Sequence, residues 1–285
     1  MRCEKVLITG ATGLLGSAVV EAFRMRGCSE IIGRGRHELD ITDEEQVRDF
    51  IDGFRPDLIV NCAAYTRVDD CETGEAYAHR VNGDGAGYVA RAARACNAEL
   101  IHVSTDYVFN GHANAPIRED SPPGLPEHLS AYGRSKLRGE QCVREAHPDA
   151  VVIRTAWLFG REGTSFPKAI LNRAREGLPL RVVNDQVGSP TYAKDLADAI
   201  WELAQYRAKG TYHFTNRGSC TWHDLAGEVL RHAGIIANIE AVTSEELGRP
   251  ARRPKYSVLD MSRFITETGS TPRPWQDALE EFLRT

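Results

Sequence analysis

The chain has 285 residues, of which 42% are apolar and 26% charged, and its formal net charge is −5. This length can bury one large core or two unequal lobes, and the acidic balance argues against nucleic-acid or anionic membrane partners. No apolar run approaches the roughly 18–20 residues that a membrane span needs. The seven cysteines and nine histidines show no metal-ligand spacing, which predicts free, mostly buried thiols in a cytoplasmic protein and no metal site.

In the first half of the chain, short strand-like runs alternate with helical patterns. The predicted strands are Lys5–Thr9, Glu30–Gly33, Leu58–Asn61, Leu100–Ser104 and Ala150–Arg154, and the clearest helical patterns are Glu44–Phe54 and Ala76–Cys96. This alternation predicts an α/β fold, a doubly wound parallel sheet with helices on both faces. The first strand begins so early that we expect no cleavable signal peptide. Because ligands bind beyond the carboxyl ends of such strands, the polar segments there are predicted to line one crevice.

Past about residue 160 the pattern becomes less regular. The predicted elements are a helix at Ser165–Glu176, a strand at Leu180–Asn184, a helix at Lys194–Gln205, a strand at Thr211–Thr215 and a helix from a capping box at Thr221 and Asp224 to about Ala233. We therefore predict a dinucleotide-binding domain over residues 1–160 and a smaller substrate lobe over residues 161–285. Some elements of the second part are expected to return to the main sheet.

A glycine-rich turn, TGATGLLG at Thr9–Gly16, joins the first predicted strand to a helical stretch. Glycine lets the backbone approach a pyrophosphate, and the helix N-terminus supplies free N–H groups and a positive dipole. A single glycine triplet also occurs in ordinary strand–helix turns. Here the G-x-x-G-x-x-G spacing is typical of the short-chain dehydrogenase/reductase superfamily.

Tyr132 and Lys136 are four residues apart, so on a helix they share one face. A free phenol has a pKa of about 10, and a nearby ammonium lowers it by stabilising the phenolate. After a dinucleotide turn, this spacing predicts a proton donor whose lysine also reaches the cofactor ribose; an ordinary surface pair is the alternative. Thr105, which follows a predicted strand, could polarise a substrate carbonyl or simply cap the strand–loop junction.

Two arginines, Arg34 and Arg36, follow the second predicted strand, where NAD-binding sites usually carry an acidic residue. Guanidinium groups there suit the extra 2′-phosphate of NADP. NADPH is therefore the predicted cofactor. Asp40 could contact the adenosine end instead, which keeps NADH as an alternative.

The chain resembles the dTDP-4-dehydrorhamnose reductases, a family of extended short-chain reductases, through motifs in the family's order. Besides TGATGLLG, the motifs are LDIT (Leu39–Thr42), VNCAAYTRVD (Val60–Asp69), STDYVFNG (Ser104–Gly111), YGRSK (Tyr132–Lys136), RTAWLFG (Arg154–Gly160), NDQVGSPTY (Asn184–Tyr192), YHFTNRGSCTWHDLA (Tyr212–Ala226) and RPKYSVLD (Arg253–Asp260). This resemblance implies NAD(P)H-dependent reduction of the C4 ketone of dTDP-4-dehydro-L-rhamnose to dTDP-L-rhamnose. It leaves a homodimer and a Mg²⁺ requirement open.

The resemblance also implies roles for individual residues. The catalytic trio would be Thr105, Tyr132 and Lys136. Besides Arg34, Arg36, Tyr132 and Lys136, the dinucleotide would be held by Gly10, Thr12, Gly13, Leu14, Leu15, Gly16, Asp40, Ile41, Ala63, Ala64 and Tyr65. The nucleotide sugar would meet Thr105, Asp106, Tyr107, Trp157 and Arg253. Two alternatives stay open: a reductase that forms another dTDP-deoxysugar, and a non-catalytic NADP-binding subunit like the methionine adenosyltransferase β chain.

Overall fold

A computed structural model describes residues 5–284 of the chain. The strands of this range are β1 (Lys5–Thr9), β2 (Glu30–Arg34), β3 (Leu58–Asn61), β4 (Glu99–Thr105), β5 (Val151–Thr155), β6 (Leu158–Phe159), β7 (Leu180–Val183), β8 (Val187–Gly188), β9 (Thr191–Tyr192), β10 (Gly210–His213), β11 (Cys220–Thr221) and β12 (Ile239–Val242). The α-helices are α1 (Leu14–Met25), α2 (Glu44–Phe54), α3 (Val68–Thr73), α4 (Glu75–His79), α5 (Ala86–Ala95), α6 (Ala131–Ala146), α7 (Phe166–Arg175), α8 (Ala193–Gln205), α9 (Trp222–Ala233), α10 (Ser244–Leu247), α11 (Ser262–Thr268) and α12 (Trp275–Arg284).

The main sheet is parallel throughout and has the strand order β10–β5–β4–β3–β1–β2. Helices α1 and α8 pack on one face, and α2, α5 and α6 pack on the other. Both faces of β1 are therefore buried: Val6 and Ile8 point to one helical layer and Leu7 to the other. Strands buried on both faces are apolar without alternation. The predicted doubly wound parallel sheet is confirmed.

Helix boundaries follow local capping chemistry. Asp43 precedes α2, and its side chain accepts a hydrogen bond of 3.0 Å from the Gln46 amide. The predicted capping box of α9 is present, because Thr221 and Asp224 each accept from the other's backbone amide. Gly234 ends that helix at φ +65°. The left-handed conformation suits glycine, since it has no Cβ to clash with the backbone.

The predicted helix at Ala76–Cys96 is not regular, because a π-helical segment at Arg80–Gly85 separates α4 from α5. Two glycines of this segment allow close packing: a Cβ at Gly83 would lie 2.9 Å from Arg138 Cγ. A Cβ at Gly85 would lie 2.9 Å from the carbonyl oxygen of Ile41. The two glycines thus let the π-helical segment pack closely against Arg138 of α6 and Ile41. The spacing of apolar residues did not predict this segment.

Beyond β6, a second core forms around α7, α9 and α12. Phe159, Leu180, Leu225 and Leu279 are buried in it, and β12 extends β7 as a parallel pair. Two other elements of this half join the first half of the chain: β10 pairs with β5 in the main sheet, and α8 packs against α1 on one face of it. The division of the chain at residue 160 into cofactor and substrate parts stays a prediction.

Candidate active site

The glycine-rich turn between β1 and α1 brings three backbone segments together. Gly10 has φ +65°, and a Cβ there would lie 2.7 Å from the Ala63 amide nitrogen. A Cβ at Gly16 would overlap the carbonyl oxygen of Gly10. Gly13 is the N-cap of α1 and provides no side-chain cap, so the helix's first amides have no partner from the cap. These features fit the pyrophosphate of a dinucleotide.

A cleft of about 240 Å³ opens beside this turn. Its lining contains most of the predicted cofactor residues: Gly10, Thr12, Gly13, Arg36, Asp40, Ile41, Ala63, Ala64 and Tyr65, together with Leu39, Cys62, Tyr77 and Val81. Leu14, Leu15 and Gly16 form the first turn of α1 instead. The side chain of Leu15 is buried in the core, so only the backbone of this residue can face a cofactor.

The two arginines that follow β2 lie in different surroundings. The Arg34 guanidinium is 3.3 Å from a carboxylate oxygen of Glu38 and lies over the Phe50 ring. Arg36 lines the cleft and pairs with Asp40 at 3.6 Å. Burial alone would raise the pKa of Asp40, but its hydrogen bonds and the charge of Arg36 lower it. Of the two, Arg36 is therefore the cation placed at the cleft.

Asn82, which the sequence analysis did not identify, holds the loop after β3. Its side chain accepts from the Tyr65 amide at 2.7 Å and donates to the Tyr65 carbonyl at 3.0 Å. It also donates to Ser135 Oγ on α6 at 2.9 Å. Asn82 belongs to the π-helical segment and is buried. An asparagine beside two glycines in a helical pattern is a weak signal, and its tertiary partners were not visible in the sequence.

The three predicted catalytic side chains lie together, and each is at least nine-tenths buried. Thr105 ends β4, and Tyr132 and Lys136 lie on the first turns of α6. A side-chain hydrogen bond joins Tyr132 to Thr105, and Thr105 Oγ1 donates to Asp106 Oδ1 at 3.0 Å. Tyr107 packs edge-to-face on Tyr132, with 5.4 Å between ring centroids. A hydrogen-bonded chain thus runs from the phenol to a buried carboxyl.

The electrostatics of this group differ from the sequence prediction. Burial raises the pKa of Tyr132, because a phenolate would lose its hydration, and the bond to Thr105 only partly offsets this. The Lys136 ammonium donates to the Val103 carbonyl at 2.7 Å. Burial lowers the pKa of Lys136 to about 8, and the charge of Glu140 opposes that change. Without a cofactor, the expected lowering of the Tyr132 pKa is not observed.

Two further predicted substrate residues adjoin the trio. Burial raises the pKa of Asp106 to about 6, although Ser257 and Thr105 stabilise its charged form by hydrogen bonds. Arg253 reaches Tyr107 through a side-chain hydrogen bond. Asp106 is thus bonded to the trio directly through Thr105, and Arg253 is linked to it through Tyr107.

The Arg253 guanidinium is already engaged by a carboxylate. Its two terminal nitrogens donate to the two oxygens of Asp69 at 2.9 and 3.0 Å. Arg249 donates to the same carboxylate at 3.1 Å. Asp69 closes the VNCAAYTRVD motif, but the sequence analysis gave it no role. This ion pair joins α3 to the C-terminal part of the chain.

Trp157 does not form an open plate. Its indole stacks on Trp222 with 3.7 Å between ring centroids and 9° between the planes. A Cβ at Gly188 would overlap the Trp157 ring. Trp157 has φ +47°, a strained backbone conformation for a tryptophan. One face of the indole is therefore covered by a second tryptophan that the sequence analysis did not identify, and Trp222 is held in turn by Gln186, 3.1 Å from its Nε1.

Two of the sequence predictions are absences, one of a metal site and one of a membrane-spanning segment. Within residues 5–284, no group of three histidine, cysteine, aspartate or glutamate side chains is placed to hold a metal ion. No helix of the same residues is both long and apolar enough to cross a bilayer.

The described cysteines are free thiols. Only Cys71 and Cys220 are buried and the others are partly buried, so the prediction of mostly buried thiols was wrong. Cys3 lies outside the described residues.

Residues 4–285 match the family model described as RmlD substrate binding domain. The chain is 42% identical over 282 residues to a dTDP-4-dehydrorhamnose reductase of Streptomyces griseus, a match that covers 96% of this chain and 91% of that protein. It is 40% identical over 282 residues to a dTDP-4-keto-6-deoxy-D-glucose reductase of Streptomyces niveus, covering 98% and 96% of the two chains.

A solved structure of dTDP-4-dehydrorhamnose reductase from Bacillus anthracis in complex with NADP superimposes with a TM-score of 0.95 at 37% identity, covering 99% of each chain. Fold, motif order and full-length identity thus agree. The chain belongs to the dTDP-4-dehydrorhamnose reductase family, oxidoreductases of the extended short-chain dehydrogenase/reductase superfamily.

Proposed function

We propose that this protein reduces the C4 ketone of dTDP-4-dehydro-L-rhamnose to dTDP-L-rhamnose with NADPH. The observation that carries the proposal is the buried group at the carboxyl end of β4, in which Tyr132 is hydrogen-bonded to Thr105 and Lys136 follows Tyr132 on the same face of α6. This end of the sheet also carries the glycine turn that fits a dinucleotide. Relatives named for this reaction support the substrate.

In the proposed mechanism, a dinucleotide held at the glycine turn would supply the hydride for the C4 carbon. Tyr132 donates its proton to the C4 oxygen, and Thr105 polarises that oxygen by a hydrogen bond. Lys136 stabilises the phenolate that remains and holds the cofactor ribose. Burial keeps Tyr132 protonated before the reaction, so the buried positive charge of Lys136 is needed when the proton leaves.

The substrate would lie against side chains from both parts of the chain. Asp106 and Tyr107 adjoin Tyr132, and their polar groups suit sugar hydroxyls. Arg253 would bind an anionic group such as the diphosphate, for which it would exchange one of its bonds to Asp69. The exposed part of the Trp157–Trp222 stack offers an apolar surface to a deoxyhexose.

The cofactor proposal rests mainly on Arg36, which lines the cleft with Asp40. A guanidinium there binds a 2′-phosphate by charge-assisted hydrogen bonds. NADH is the alternative, because Asp40 lines the same cleft and suits a free ribose hydroxyl.

A reductase for another dTDP-deoxysugar is the second candidate, favoured by the relative named dTDP-4-keto-6-deoxy-D-glucose reductase at 40% identity. A non-catalytic subunit is disfavoured, because the three catalytic side chains are present and in contact or on one helix face.

The test is NADPH consumption with dTDP-4-dehydro-L-rhamnose, followed by NMR of the product to assign the configuration at C4. Product with the rhamno configuration supports the proposal. NADPH consumption only with a different keto sugar would favour the second candidate, and a protein that binds NADPH but turns over neither sugar would support the non-catalytic alternative.

A further inference from the structure

A row of buried polar side chains lies beneath the main sheet on the face that α6 covers. Strand register aligns three of them: Ser104 of β4 pairs with Arg154 of β5, and Arg154 pairs with His213 of β10. Glu140 of α6 completes the row. Its Oε1 accepts from Ser104 Oγ at 2.6 Å and from Arg154 Nε at 2.8 Å. Arg154 Nη2 donates to Oε2 at 2.8 Å, which makes the pairing two-pronged.

The Glu140 carboxylate is fully buried, and a further arginine binds it from the solvent side. Arg144 Nη2 donates to Oε2 at 2.9 Å, and the Arg144 side chain is 45% exposed. Burial would raise the pKa of Glu140, but its bonds to Arg154 and Ser104 outweigh burial and lower it. The carboxylate therefore stays ionised and has little freedom to rotate.

Lys136 lies one helical turn before Glu140, so both side chains project from the same face of α6. Their polar ends meet adjacent residues of β4, since the Lys136 ammonium binds the Val103 carbonyl and Glu140 binds Ser104. Lys136 is 2% exposed, and isolating a charge at this depth costs several kcal/mol.

Among the described residues, the other groups that face Lys136 carry no negative charge. On β4, burial and the lysine's own charge keep His102 neutral by lowering its pKa. After β3, burial raises the pKa of the Cys62 thiol to about 12. On α6, burial keeps Tyr132 protonated. Arg154 and His213 lie beyond Glu140. Arg154 is a cation, and His213 is neutral because burial lowers its pKa to about 3.

We propose that Glu140 is a positioning residue for the reduction, whose carboxylate, fixed by Ser104 and Arg154, is the counter-charge that keeps the buried Lys136 ammonium protonated. Glu140 acts through Lys136 rather than on the substrate. The inference rests on the proposed function for the step that uses Lys136, but the charge relation between the two residues exists in the free protein.

Two substitutions with opposite charge effects test the proposal. Glu140→Gln removes the negative charge one helical turn from Lys136, so the alkaline limb of kcat/KM should move to lower pH by about 1–2 units. Arg144→Met removes a half-exposed positive charge and should move the same limb upward by about half a unit. Arg138→Met is the matched control, because it removes the same charge from α6 two residues from Lys136, on another face, and should cause no shift.

Lysine titration followed by NMR gives a readout that needs no substrate. The Lys136 Cε signal of the labelled protein should titrate at lower pH in Glu140→Gln and at higher pH in Arg144→Met. If Glu140→Gln fails to fold, because Arg154 is left unpaired, Arg144→Met decides the question. Unshifted titration in the folded variants would overturn the inference, even if activity falls. If the variants show the expected shifts in Lys136 titration but the wild-type protein does not reduce the keto sugar, only the proposed function is contradicted.

Discussion

The ion pair between Asp69 and Arg253 predicts a defined loss of stability in Asp69→Asn. Burial would raise the pKa of Asp69, but the hydrogen bonds from Arg253 and Ala251 outweigh it and lower it to about 2 from the ordinary 3.8. The Asp69 side chain is 24% exposed, so solvent screens the pair only partly. A shift of this size corresponds to about 2 kcal/mol of folding free energy at pH 7.

The sign of the pH dependence follows from the lowered pKa. The charged form is favoured in the folded state, so the stabilisation is fully present above about pH 4 and is lost as the pH falls towards 2. The difference between wild type and Asp69→Asn should therefore shrink from about 2 kcal/mol at pH 7 to about 1 kcal/mol at pH 3. In thermal unfolding at pH 7, the variant should melt roughly 5 °C lower.

The matched control for this experiment is the neighbouring Asp70→Asn. Asp70 pairs with Arg67 at 3.3 Å, but both side chains are more than half exposed, and such pairs contribute about 0–1 kcal/mol. Urea unfolding of both variants at pH 7 and pH 3 makes the comparison. If the two variants unfold alike at pH 7, or if the Asp69→Asn deficit does not change with pH, the paired geometry does not stabilise the fold as argued.

Three further predictions, one of them with a control variant, test the proposed site. Tyr132→Phe removes the proton donor and should lower kcat by about 10²–10⁴-fold with NADPH affinity retained; more than a tenth of wild-type kcat would contradict this role. Arg36→Ala should raise KM for NADPH by about tenfold or more and change KM for NADH little. Arg34 pairs with Glu38 and does not line the cleft, so Arg34→Ala should change both KM values little. A wild-type preference for NADH would contradict this prediction. Trp157→Ala should raise KM for the keto sugar while NADPH binding persists; lost stability and NADPH affinity with unchanged KM would show that its stack with Trp222 serves packing alone.

Several local elements that the sequence predicted are present in the structure, because their signals are local. The glycine spacing at Thr9–Gly16 predicted a turn into a helix N-terminus, and Tyr132 and Lys136 share a helix face through a four-residue spacing. The side chains of Thr221 and Asp224 accept hydrogen bonds from each other's backbone amides, as the capping box predicted. Each of these features depends on hydrogen bonds or steric limits within a few residues, so the sequence carries the information directly.

Local patterns thus predicted the alternating strands and helices of the first half, the parallel sheet and the family's motif residues. The packing of the whole chain brings together groups that are distant in sequence: Asp69 with Arg253, Trp157 with Trp222, and Glu140 with Arg154. It also decided that burial raises the pKa of Tyr132. Burial and pairing of distant side chains depend on how whole elements pack, and no local spacing specifies that packing.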